Sequence, residues 1–340
     1  MESVPASIET YKTLKPSKTL RYHHNDPITS LDFDDTGAYA VTAGTDESIQ
    51  LYSAHKGTHQ RSSYSKKYGA HLARFTHNSM SIVYASTKED DTIRYLSLHD
   101  NSYIRYFRGH KDKVHALNVS PISDVLLSAS MDHTVRLWDL RSPHCQGVLN
   151  LVSPNLIAFD PRGLCFGVAN TSAQDLSLYS VSAWGSDPFA TFALPAPPGD
   201  GWASVEFSND GKYILLATYG EQHHVIDAFT GNLTHKLVGH HPLRRDQDNM
   251  RGGSTHTAFS VDGRTVFGCS RDGKIIVWDL QDRVDERGRL YPSKALNCAP
   301  NAASPQILGV NPASMQLATA DKELTFWLPE KDVAEPPKEA

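Results

Sequence analysis

Only four cysteines occur in 340 residues, Cys145, Cys165, Cys269 and Cys298, and no two form a Cys-x-x-Cys pair. A disulfide framework needs more of them in a shorter chain, and a zinc site needs them clustered. They read as reduced, buried, small hydrophobes of a cytosolic or nuclear protein. No apolar run approaches the ~20 residues of a membrane-spanning helix. The opening MESVPASIETYKTLKPSK lacks the basic start and apolar core of a secretory signal. Neither sign of charge dominates, since 33 Lys+Arg against 38 Asp+Glu leave −5. That balance argues against bulk electrostatic binding to nucleic acid. Also missing are a G-x-x-x-x-G-K-[ST] loop, a G-x-S-x-G elbow and an H-E-x-x-H pair. Nothing here points to catalytic residues, a metal or a cofactor. At 39% hydrophobic and 21% charged the composition is that of an ordinary globular chain.

Helical periodicity is scarce too. Short alternating runs recur instead, separated by turns rich in Asp, Gly, Asn and Ser, the pattern of a many-stranded antiparallel fold. Two stretches share their spacing. His24 precedes Thr42, Asp46 and Tyr52, and His110 precedes Ser128, Asp132 and Trp138, at offsets of 18, 22 and 28 in both. With the Asp as a ruler, seven units appear at Asp46, Asp90, Asp132, Asp175, Glu221, Asp272 and Asp321, in steps of 44, 42, 43, 46, 51 and 49 residues. An apolar residue before a turn tracks them: Phe33, Phe75, Val119, Phe159, Phe207, Phe259 and Val310.

A period in the forties, with Gly109-His110 and Gly239-His240 early and Trp138-Asp139 and Trp278-Asp279 late, resembles the WD-repeat family over about residues 14–329. The resemblance implies an all-β, seven-bladed β-propeller of WD repeats, four antiparallel strands per blade, in a domain spanning 13–329. The blades fall near 24–57, 68–100, 110–142, 151–183, 201–231, 240–280 and 303–329. A linear stack of sheets would leave two raw ends, so the N-terminal segment 17–23 is expected to close the ring as an outer strand of the last blade. Residues 1–12 are expected to be flexible, and the charged, proline-containing tail 330–340 to be disordered.

His110, Ser128 and Asp132 contain the ingredients of a nucleophilic triad. Their near-copy at His24, Thr42, Asp46 and Tyr52 argues otherwise, because a catalytic triad is not duplicated in successive blades with Thr and Tyr exchanged in. In the family pattern the four residues form a buried hydrogen-bonded chain that rigidifies a blade when every member is paired. No carboxylates stand at blade-repeating positions that would converge on the channel, as a hydrolase would need. The 17 histidines cluster at His23/His24, His223/His224 and His240/His241, without cysteine or carboxylate at ligand spacing.

Function then falls to the surface. Residues beside the turn Asp and early in each inner strand are expected to line one channel face: Thr45, Lys113, His115, Met131, Thr255 and Arg271. An insertion at 241–253 delays Asp272 to 32 residues after His240. It carries Arg244, Arg245 and Arg251, a candidate contact for an acidic or phosphorylated partner. A second basic run holds Lys56, Arg61, Lys66 and Lys67.

The strings TAGTDESIQLY, DDTIRYLSLHDNSYIRYFRGH, SMDHTVRLWDLRSPHCQG, FDPRG and DPFATF resemble one subfamily. It is the WD-repeat subunit shared by the COMPASS histone lysine methyltransferase complex and the cleavage and polyadenylation factor. The resemblance implies a nuclear, non-enzymatic adaptor. Its implied partners are a segment N-terminal to the catalytic region of a SET-domain histone methyltransferase and a polyadenylation-factor/phosphatase regulatory subunit. Contact with the RNA polymerase II machinery would be indirect, and no membrane, no cofactor and no sequence-specific nucleic acid are expected. A substrate receptor of a ubiquitin ligase and a reader of a phosphorylated or acidic peptide are the competing readings.

Overall fold

The computed structural model describes residues 7–152, 154–194, 201–243, 256–300 and 302–330. Seven small sheets follow one another along the chain. Blade 1 consists of Ile28–Phe33, Tyr39–Gly44, Ser48–Ser53 and Thr58–Tyr64, hydrogen-bonded in that order. Blade 3 repeats it with Val114–Val119, Val125–Ser130, Thr134–Asp139 and Cys145–Asn150. The first strand of each blade is innermost. Inner strands of successive blades touch around the ring, and Ile307–Val310 of blade 7 meets Ile28–Phe33 of blade 1. The ring is closed.

Closure uses the N-terminal strand, as expected, with slightly different limits. Leu14–Leu20 pairs antiparallel with Leu324–Pro329, from Leu14 opposite Pro329 to Leu20 opposite Leu324. Ile8–Tyr11 is not a loose lead-in. It forms a single helical turn, and Tyr11 is buried with its ring edge-on to Phe267 at 5.1 Å. Residues 1–6 and 331–340, where a flexible start and a disordered tail are expected, lie outside the described residues.

Blade limits differ from the sequence expectation in a consistent direction. The outermost strands Thr58–Tyr64 and Tyr103–Phe107 fall beyond the expected ends at 57 and 100. These strands face solvent on one side, so exposed residues alternate with covered ones and break the run of buried residues that marks the inner strands. Blade 5 also departs from four antiparallel strands. Arg289–Leu290, from the long connection inside blade 6, adds a short parallel fifth strand beside Leu233–Leu237.

The core lies between blades. Residues alternate in each strand so that one set packs on the blade before and the other on the blade after. One cluster joins Val41, Ile49 and Leu51 of blade 1 to Phe75, Ile82 and Tyr84 of blade 2. Another joins Leu72, Val83 and Ile93 of blade 2 to Val114, Leu126 and Trp138 of blade 3. Because these layers are mostly apolar, a polar side chain buried in one needs a hydrogen-bond partner within its blade or on the neighbouring one. Of the four thiols only Cys269 is fully buried. Cys145, Cys165 and Cys298 are half-buried, a correction to the sequence reading, and all four are free.

Candidate binding surfaces of the ring

Blade 3 holds the complete polar quartet. His110 sets Nδ1 2.9 Å from an Asp132 oxygen and Nε2 2.7 Å from Ser128 Oγ, to which Trp138 Nε1 donates at 2.8 Å. The imidazole is only 1% exposed. Burial holds His110 down to about 4, so it is neutral and donates to the carboxylate from Nδ1. Burial alone would raise Asp132, but bonds from Thr134, His110 and the Lys111 amide hold it down to about 2. Every member is paired, which is the condition for such a network to stiffen a blade.

Blade 1 corrects the sequence reading by one residue. His23, not His24, makes the bonds: Nδ1 lies 3.0 Å from Asp46 and Nε2 lies 2.7 Å from Thr42 Oγ1. The cause is a loop one residue longer than in blade 3. His110 stands four positions before Val114, whereas His23 stands five before Ile28. His24 and Asn25 absorb the extra residue with φ of 49° and 72°, which leaves His24 exposed. Tyr52 occupies the aromatic position, yet its buried hydroxyl finds no partner, so the aromatic end of this network is missing.

Blade 6 lacks the small hydroxyl. Gly268 sits where Ser128 sits in blade 3, and Trp278 donates instead to the Val238 carbonyl at 2.9 Å. His240 turns away from Asp272. It stacks on His223 at 4.0 Å between ring centres and bonds the Gly220 carbonyl at 3.0 Å. His256 completes a buried trio, 5.3 Å from His223 and bonded to the Thr218 carbonyl at 3.1 Å. Burial depresses all three, His256 to about 4. Among the described residues no three His, Cys, Asp or Glu side chains converge as metal ligands.

The expected rim residues do not all reach a rim. Thr45 and Arg271 are exposed and Met131 is half-buried. The Met131 amide donates to the Lys113 carbonyl at 3.0 Å, which brings these two together at the mouth where inner strands begin. His115 belongs elsewhere. It is buried, and its Nε2 lies 2.8 Å from the Asn155 carbonyl of blade 4, so it ties two blades together. Thr255, Arg244, Arg245 and Arg251 lie outside the described residues. In the second basic run, Arg61 Nη1 bonds the Leu98 carbonyl of blade 2 at 2.7 Å. Lys66 and Lys67 lie over the Tyr64 and Tyr68 rings.

The opposite mouth, where inner strands end, holds what sequence reasoning missed. A cavity of about 620 Å³ lies there, and all seven apolar markers from Phe33 to Val310 line it. The residue before each marker faces the same space: Asp32, Arg74, Asn118, Ala158, Glu206, Ala258 and Gly309 in blades 1 to 7. Carboxylates therefore do occur at equivalent blade positions facing the channel, contrary to the sequence reading. The signal was present one residue upstream of the marker.

Both carboxylates have backbone work to do. An inner strand exposes unpaired amides along its channel edge. Asp32 accepts from the Phe75 amide of blade 2 at 2.8 Å, and Glu206 accepts from the Phe259 amide of blade 6 at 3.4 Å. Arg74 donates to the Leu31 carbonyl at 3.1 Å. Burial pushes Asp32 up to about 6 and Glu206 up to about 8, each opposed by the Arg74 charge.

A closed ring of seven wedges, with a complete buried quartet in blade 3, defines a WD-repeat β-propeller. A sequence profile of the WD domain, G-beta repeat, matches residues 14–53, 101–139 and 231–279. The Set1 complex component swd2 of Schizosaccharomyces pombe is 47% identical over 96% of this chain and 100% of its own length. WD repeat-containing protein 82 of Drosophila melanogaster is 38% identical over 94% of this chain and 95% of its own. The COMPASS component SWD2 of Saccharomyces cerevisiae is 36% identical, over 89% and 91%. The chain belongs to the WD-repeat family that these three proteins represent.

Proposed function

We propose that this propeller is a non-catalytic scaffold subunit of a nuclear Set1-type histone lysine methyltransferase complex. The observation that carries the reading is end-to-end similarity to relatives named as Set1 complex and COMPASS components. The structure is compatible with it in physical terms. The triad-like residues are sealed inside blades 1 and 3, and Asp32 and Glu206 cap strand edges. A rigid ring binds an extended segment with little rearrangement of its own, so the ligand bears the ordering entropy.

The same reading extends to a second assembly. The partners are then a segment N-terminal to the methyltransferase catalytic region and, separately, a regulatory subunit of a polyadenylation-factor phosphatase module. The rim around Thr45, Lys113, Met131 and Arg271 is one face for them, and the insertion with Arg244, Arg245 and Arg251 another. Affinity purification of the tagged chain with mass spectrometry tests this. Recovery of a SET-domain methyltransferase supports the first assignment, and recovery of polyadenylation-factor subunits supports the second. Recovery of cullin-type ubiquitin ligase subunits in place of both overturns the reading.

A further inference from the structure

Glu206 is unlike the other channel residues. One of its oxygens caps the Phe259 amide, while Oε2 is inaccessible to solvent and has no hydrogen-bond partner. Its neighbours at the same level in blades 4, 6 and 7 are Ala158, Ala258 and Gly309, the smallest side chains available. Glu206 lines the cavity, while Oε2 itself is turned away from the open space. The charges on the opposite wall are placed differently. Asp32 and Arg74 occupy adjacent blades, each three steps away around the closed ring, and Arg74 is anchored on the Leu31 carbonyl of blade 1. Two channel carboxylates therefore face one channel guanidinium, and that guanidinium is held against blade 1.

We infer that this mouth seats one positively charged side chain, arginine or lysine, of a partner segment, with Glu206 as its counter-charge. The aliphatic stem of such a side chain lies along the wall lined by Phe159, Phe207 and Phe259, and its charged end pairs with the carboxylate when Glu206 turns Oε2 into the cavity. A buried carboxylate without a cation is costly and favours its neutral form, and an arriving cation removes that cost. The other titratable groups facing the cavity are Asp32 and Arg74 across the channel and Asp35 on the rim, where His77 Nδ1 lies 2.7 Å from it. Occupancy of the seat does not depend on which nuclear assembly the ring serves.

The probe is the capped peptide acetyl-Gly-Ser-Arg-Ser-Gly-amide, with lysine and citrulline counterparts, titrated calorimetrically into the full chain. Citrulline keeps the shape of arginine and removes its charge. The arginine and lysine peptides are expected to bind at least about tenfold more tightly than the citrulline peptide. Glu206→Gln, which keeps an acceptor for the Phe259 amide, is expected to weaken the arginine peptide by about tenfold or more. Because burial raises Glu206 to about 8, binding releases a proton and the affinity rises with pH up to that region. Circular dichroism and the thermal midpoint establish that the variant folds. Equal binding of arginine and citrulline peptides, no binding of any, or undiminished binding by folded Glu206→Gln overturns the inference.

Discussion

His23 Nδ1 lies 3.0 Å from Asp46 Oδ1 in a site where the histidine is 1% exposed, while its neighbour His24 faces solvent. The consequence is a sharp contrast between adjacent residues. His23→Ala removes the buried partner of Thr42 Oγ1 and leaves Asp46 only the bonds from Ser48, and is expected to cost about 2–3 kcal/mol. His24→Ala is expected to change stability by less than about 0.5 kcal/mol, as for an ordinary surface site. Urea midpoints of the two variants check this, and equal losses would contradict the assigned register.

Gly268 offers a test in which restoring the repeat pattern does harm. Serine there would match blade 3 by sequence. A Cβ at 268, however, would lie 2.7 Å from Trp278 Cζ3, and Trp278 already has the Val238 carbonyl. Gly268→Ser is expected to destabilise by about 1–3 kcal/mol through overpacking. A rise in the thermal midpoint would show that the indole can move aside.

The buried imidazoles set an acid limit. In the folded ring burial holds His110, His224 and His256 down to about 4, and His223 and His240 are lowered as well. In the unfolded chain they titrate near ~6.5. The unfolded state therefore binds more protons below that value, so this stability is complete above about pH 6.5 and is lost as pH falls towards about 4. Urea midpoints are expected to drop steeply between pH 7 and pH 5, and His256→Asn is expected to flatten the slope. A flat profile would mean the imidazoles can charge without opening the structure.

Ring closure by Leu14–Leu20 makes the N-terminal strand indispensable. Deletion of residues 1–20 uncovers the Leu324–Pro329 edge and the Trp327 layer, and exposed strand edges pair with other chains. The deleted protein is expected to elute as aggregate in size-exclusion chromatography. Deletion of 1–6 is expected to leave a monomer. A stable monomer lacking 1–20 would show that blade 7 survives with three strands.

Much of this was legible in the sequence. The Asp ruler and the apolar markers found every blade, because a tight turn and a buried strand end impose their residue types locally and repeat wherever the blade repeats. Even the degenerate blade 2, with Asp90 bonded to Arg94 rather than to a histidine, kept its phase. What escaped were features with no local signature. His23 displaced His24 because a left-handed pair in the loop absorbed one residue. His115 left the expected rim because its partner is a carbonyl 40 residues away in the next blade.

Sequence alone thus determined the number of wedges, the closing strand and the quartet of blade 3, since each rests on residues within one repeat or on a count of repeats. Only the tertiary structure decided that Asp32, Arg74 and Glu206 share one cavity. That meeting depends on the angle through which seven sheets turn to close a circle, and no single repeat contains it.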